Sequence, residues 1–248
     1  FFFVLSSFVS SGCTMATSND NPLLDRSGLP KFYSIKPEHV KPAMTELLES
    51  TRADFKALEN KVMETPTADI YSVVIDDLEV VQHPLDYAWS VIRHLVGVKN
   101  GDELREAHKE MQPEVTKINQ SMGQSRQLYK ALEKLRADEA EWDKLEEAQQ
   151  RIIQSKLRSM KLSGVGLEGD ELEEFNKIGV ELAELSTKFN NNVLDSTKAF
   201  TLVLTAKEEV DGLPPTALAL AAKTAKDKGH EGATAEEGPW ALTLDIPS

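Results

Sequence analysis

The chain is short of cysteine, of positive charge and of long apolar runs. Cys13 is the only cysteine among 248 residues. No internal disulfide can form, and a reducing compartment fits better than secretion. Lys and Arg total 28 against 41 Asp and Glu, a formal net charge of −13. That deficit of cations excludes a general nucleic-acid binder, which needs a basic face to neutralise phosphate. The strongest apolar run, Phe1 to Val9, is about half the roughly 20 residues of a spanning helix. H-E-x-x-H, G-x-S-x-G and a Gly-rich phosphate loop are all missing, and with them the local signatures of a zinc peptidase, a serine hydrolase and a nucleotide binder. What is present is ordinary: 40% apolar and 28% charged residues, close to a soluble globular average. The length allows one large domain or two small ones with a sizeable core.

Residue 1 is Phe and the first methionine is Met15. Three readings of residues 1–14 stay open: the tail of a targeting peptide, sequence upstream of a start at Met15, or a lipoprotein-like end with Ser-Gly before Cys13. The segment contains no Arg or Lys, unlike an organellar transit peptide. Residues 1–20 are expected to be disordered and stand outside the fold argument. Residues 16–34 read as an irregular arm, docked through Leu23, Leu24, Leu29, Phe32 and Ile35.

Helical periodicity dominates from Pro37 onward. Val40, Met44, Leu47, Phe55, Leu58 and Val62 recur at three- and four-residue steps, with Thr51 filling one turn; this is the stripe of an amphipathic helix. Pro66-Thr67 starts a second run, from Ile70 to about Val98, in which Pro84 predicts a kink or a split. Leu104, Met111, Val115, Ile118 and Met122 form a third run with an internal Pro113. Leu128, Leu132 and Leu135 follow. Trp142, Leu145, Ile152, Leu157 and Met160 predict the next helix, ended by Gly164 and Gly166. Asp170 with Glu173 resembles a capping box, opening a helix that carries Leu172, Phe175, Leu182, Leu185, Phe189 and Val193. The pattern then changes. Phe200–Leu204 and Trp240–Ile246 read as short strands, on either side of an Ala- and Lys-rich helix over Thr216–Lys228. The expected fold is mainly α, with two short β-strands near the C-terminal end. Two strands alone are marginal in water, so the polypeptide is expected to continue past Ser248.

No catalytic constellation is visible. His39, His83, His94, His108 and His230 have no metal-ligand spacing, and a helix-face or part-buried imidazole is the ordinary reading. Nothing near Cys13 would lower its pKa. Asp76-Asp77-Glu79, Glu171-Glu173-Glu174 and Glu181 with Glu184 read as solvated helix faces rather than a converging metal site. Gly164-Val165-Gly166 follows a helix and lacks the third glycine of a dinucleotide turn. Trp89, Trp142 and Trp240 read as core anchors. Catalytic, cofactor-binding and metal residues are therefore expected to number none in this segment.

The order of short motifs does carry a resemblance. Asn21-Pro22-Leu23-Leu24 precedes Leu29-Pro30-x-Phe32 and Ile35-x-Pro37-Glu38-His39-Val40-x-Pro42-Ala43. Glu174-Phe175-Asn176-Lys177-Ile178, Leu185-Ser186-x-Lys188-Phe189 and Asn192-Val193-Leu194-Asp195 follow. Then come Gly212-Leu213-Pro214-Pro215, Gly238-Pro239-Trp240 and Leu242-Thr243-Leu244-Asp245. From about Asn21 to Ser248 this resembles the amino-terminal part of oligopeptidase A-like members of the thimet oligopeptidase and neurolysin family, which also includes dipeptidyl carboxypeptidase.

The resemblance implies a helical, two-lobed, channel-containing peptidase acting on short peptides. It also implies one zinc ion, held by the histidines of H-E-x-x-H and a further Glu, with the motif's own Glu activating water. All of these lie downstream of Ser248 in the family, so no catalytic position transfers to a residue here. The expected organisation is a helical domain over 21–199 and the β-α-β start of a catalytic region over 200–248. This chain would line or gate the substrate channel and be inactive alone. Its expected partners are short peptides, with no nucleic acid and no membrane, and the family precedent is monomeric. The expected compartment is the cytoplasm, or a mitochondrion or chloroplast if residues 1–14 end a targeting peptide. The competing class is a non-catalytic helical scaffold or interaction protein.

Overall fold

The computed structural model describes residues 21–245. The readings of residues 1–20, with Cys13, and of Ile246 lie outside the described residues. The fold is mainly helical, with one two-stranded antiparallel sheet near the C-terminal end. The chain divides into two compact units, one through Glu184 and one from Leu185.

In the first unit the helices are α1 (Pro37–Glu64), α2 (Asp77–Val98), α3 (Asp102–Gly123), α4 (Arg126–Ala137), the single turn α5 (Glu139–Trp142), α6 (Glu147–Leu162) and α7 (Gly169–Ala199), which runs on into the second unit. Helix α1 lies along α2 and α3 and meets α4, which in turn meets α6. The stripe read from the sequence is what α1 buries: Val40, Met44, Leu47, Phe55, Leu58 and Val62 are all core residues, and Thr51 closes the gap in the stripe. Each such side chain contributes roughly 1.5–3 kcal/mol of transfer free energy.

The arm docks on the core through three of its five expected residues. Leu23 and Ile35 are buried, and Leu24 packs partly on the core. Leu29 is 92% exposed, and Phe32 sits at the surface against His94. Asn21 latches the arm: its amide donates to the His39 carbonyl at 2.8 Å, and its own oxygen accepts from Leu23 N at 3.1 Å.

Three local expectations are corrected. Of the kink or split expected at Pro84, the split does not occur: α2 continues through Pro84, as α3 does through Pro113. A proline removes one hydrogen bond to the carbonyl four residues back. Here those carbonyls belong to Val80 and Lys109, both exposed residues within reach of water. The irregularity of this stretch is instead a π turn at Ser72–Asp76. The helix expected around Trp142 breaks at 143–146 and restarts as α6, whose buried face is Ile153, Leu157 and Met160; Ile152 points outward. At α7, Asp170 lies inside the first turn, after Gly169, rather than just before the helix. A carboxylate there still complements the helix dipole.

The second unit has a small core of its own. Strands β1 (Leu202–Leu204) and β2 (Trp240–Leu242) pair antiparallel, with Leu204 opposite Trp240, and helix α8 (Pro215–Asp227) packs against β2. The Trp240 indole is buried among Ala221, Ala222, Ala225 and Ala233, with its N–H donating to the Ala235 carbonyl at 3.1 Å. Gly238, at φ 69°, must be glycine: a Cβ there would lie 2.7 Å from the Trp240 ring.

Candidate functional site

The histidines are dispersed. His39 Nδ1 accepts from Lys36 N at 3.1 Å and closes the start of α1. His83 stacks on Tyr87, its neighbour one turn on, and His94 tilts against Phe32. His230 is exposed in the loop after α8. Only His108 is buried, lying flat on Trp89 with ring centroids 4.6 Å apart and an angle of 10° between planes. Among the described residues its Nδ1 has no hydrogen-bond partner. Burial first, and then the Arg93 guanidinium, hold its pKa below the ordinary histidine value. A neutral imidazole between two helices is a packing element here.

The acidic clusters stay at the surface. Asp77 is tied to Lys61 at 2.6 Å, while Glu171, Glu173, Glu174, Glu181 and Glu184 are exposed on α7. Among the described residues no three of His, Cys, Asp and Glu converge on a common point. The donors present do not fit the zinc that the resemblance implies.

The distinctive feature is the seam between α3 and the first half of α7. It is built from amides rather than apolar side chains. Gln112 Nε2 donates to the Ala183 carbonyl at 2.9 Å, and Gln120 Nε2 to the Asn176 carbonyl at 2.9 Å. Gln124 and Asn176 exchange amide hydrogen bonds at 2.7 and 3.3 Å, and Gln124 also reaches the Ser163 carbonyl at 2.8 Å. The spacing 112–120–124 places the three glutamines on one face of α3. Gly179 leaves room for the Gln120 amide, the movable end of that side chain: a Cβ there would collide with it. Charge-free amide pairs of this kind orient a helix at modest net energy, about 1 kcal/mol each.

The other face of α7 is apolar and uncovered. The helix has no buried residue along its 31. Phe175, Ile178 and Leu182 are 36, 46 and 58% exposed, and further along Leu185, Phe189 and Val193 are 54, 66 and 49% exposed. The sequence pattern identified this stripe as helical, and the structure places it in solvent. The glutamine–glycine seam escaped sequence reading. Its available signal was a glycine inside an otherwise strong helical pattern, which marks a close approach.

Comparison with known proteins identifies relatives of this chain. Residues 44–172 match the family model described as neurolysin/thimet oligopeptidase, N-terminal domain. The chain is 43% identical to the probable cytosolic oligopeptidase A of Arabidopsis thaliana over 94% of its own length and 32% of that protein. It is 41% identical to the chloroplastic/mitochondrial organellar oligopeptidase A of the same plant, over 97% of this chain and 30% of the relative. Oligopeptidase A of Escherichia coli is 36% identical over 92% of this chain and 32% of its own. The chain thus spans about a third of the length of these relatives. No described helix is long and apolar enough to cross a membrane. With the family model covering more than half of it, the chain belongs to the neurolysin/thimet oligopeptidase family.

Proposed function

We propose that this chain is the amino-terminal part of a zinc-dependent, oligopeptidase A-like metalloendopeptidase that hydrolyses short peptides. The observation that carries this reading is the match of nearly the whole chain to one third of several oligopeptidases A. On this reading the metal and the acid–base groups come from polypeptide beyond residue 248. The segment described here supplies wall and gate to the substrate channel. The dispersed histidines and the uncovered apolar face of α7 suit that division: one describes a part without chemistry, the other a part with a neighbour still to meet. The partners on this reading are short peptides, not nucleic acid or membrane, and the working form is a monomer. The compartment is the cytoplasm, or an organelle if residues 1–14 end a targeting peptide.

The test is metal content and cleavage of a quenched fluorescent oligopeptide, measured in parallel on this chain and on its gene product read beyond residue 248. Zinc and cleavage in the longer product alone are the expected result. Cleavage by this chain itself would mean that its own histidines form a site. If the reading frame stops here and neither sample cuts, the chain is a helical scaffold whose α7 face serves a separate partner.

A further inference from the structure

An acidic molecule has gathered cations in one place. The end of α1, together with α3, α4 and the start of α7, encloses an open groove of about 880 Å³. Lys117, Arg126, Lys130 and Lys134 line it, against a single carboxylate, Glu59. That carboxylate is already engaged, by Lys56 at 3.3 Å and by the Ser125 hydroxyl at 2.8 Å. Two of the cations are also spoken for: Lys117 pairs with Glu114 at 2.8 Å and Arg126 with Glu168 at 2.6 Å. Lys130 and Lys134 have no acidic partner among the described residues. Both are exposed, one turn apart on the same face of α4.

Like charges four residues apart on a helix repel each other. Lys134 has a compensating reason, since it lies in the last turn, where a cation complements the helix dipole. Lys130, in the middle of α4, lacks that compensation. Val62, Ile70 and Ala131, buried residues along the same groove, supply an apolar floor. A groove with an apolar floor and unneutralised cations on one wall selects a ligand that is anionic and partly apolar.

The spacing of the two lysines narrows the choice further. Four residues of α-helix advance about 6 Å along the axis. In an extended peptide, residues i and i+2 point the same way and lie about 6.6 Å apart. Carboxylates at alternate positions of an extended chain therefore meet Lys130 and Lys134 one to one. Two acidic residues that are adjacent and alone point to opposite sides and offer this wall only one carboxylate. We propose that this groove binds an extended peptide segment with acidic residues at alternate positions, held by Lys130 and Lys134. The inference goes beyond the peptidase reading and does not depend on it, because binding is measured on this chain with no cleavage step.

The experiment is fluorescence anisotropy on the whole chain, at low and at physiological salt. The probe is a labelled Gly-Leu-Glu-Leu-Glu-Leu-Gly peptide. Its comparators are the same peptide with Gln for Glu, the isomer Gly-Leu-Leu-Glu-Glu-Leu-Gly with its two Glu adjacent, and a single-stranded oligonucleotide of similar length. The alternating peptide is expected to bind best and to weaken as salt screens the pairs. Lys130→Gln combined with Lys134→Gln is expected to weaken it at least about fivefold, from two lost ion pairs. Lys130→Gln alone should give an intermediate loss, which keeps the test open if the double variant misfolds. Lys109→Gln, on α3 outside the groove, should leave binding unchanged, and the melting temperature of the double variant should not fall. Equal binding of the Glu and Gln peptides, or of the adjacent and alternating isomers, overturns the proposal. So does an unchanged affinity in the double variant. Tighter binding of the oligonucleotide overturns it in favour of a polyphosphate site.

Discussion

His108 combines burial, an aromatic stack on Trp89 and a ring nitrogen without a partner among the described residues. A buried acceptor or donor left unpaired costs roughly 1–3 kcal/mol, whereas an apolar ring of similar shape carries no such penalty. His108→Phe keeps the stack and removes the orphan atom. The variant is expected to be more stable than the parent by about 1 kcal/mol at neutral pH, less any strain from the larger ring. Acid should widen the gap. Burial, then Arg93, depress the folded-state pKa of His108 below its ordinary value of 6.5. The unfolded chain therefore takes up a proton that the folded chain resists, and the contribution of His108 to stability is lost as pH falls below about 6.5. Urea denaturation of both proteins at pH 7 and pH 5.5 checks this. A gap that shrinks on acidification would show that His108 is charged and paired in the native state.

At the scale of helices, the seam between α3 and α7 sets two effects against each other at Gly179. Glycine inside a helix costs about 1 kcal/mol relative to alanine. Here it admits the Gln120 amide to the Asn176 carbonyl at 2.9 Å, a bond of similar net value. Gly179→Ala alone should therefore change stability little, because the gain in propensity is offset by displacement of Gln120. In a Gln120→Ala background the obstacle is gone, and Gly179→Ala should stabilise by about 1 kcal/mol. A double-mutant cycle by chemical denaturation reads that coupling directly. Additive effects would show that the two residues do not compete for the same space. The same contrast explains what was legible beforehand. Helices with a continuous apolar stripe, α1 to α4, announced themselves by periodicity, as did the break at Gly164, which has a positive φ of 88°. The sequence pattern selects Ile152 where the structure buries Ile153, because a three-four rhythm tolerates a shift of one residue where two isoleucines adjoin. The seam was opaque because a glutamine has the same helical propensity whether it faces water or a neighbouring carbonyl. The motif order in the sequence did point to the family, yet no local pattern pointed to the cations gathered on α4.

For the whole molecule the opposing quantities are a net charge of −13 and the uncovered apolar face of α7. Repulsion between like-charged chains keeps them apart, and salt weakens it. Large exposed apolar patches attract one another, and salt does not weaken that attraction. The isolated chain should therefore retain strong helical circular dichroism yet self-associate at high concentration, and more so as ionic strength rises. Leu182→Lys with Phe189→Lys should reduce the association while leaving helicity intact, since both side chains are more than half exposed and lysine is a good helix former. Sedimentation velocity at two salt concentrations distinguishes the outcomes. Association that falls with salt would assign it to ion pairs between chains and relieve α7 of the role. A monomeric chain at every concentration would mean that this face is tolerated in water without a partner, which would also remove one support from the proposed place of the chain in a larger peptidase.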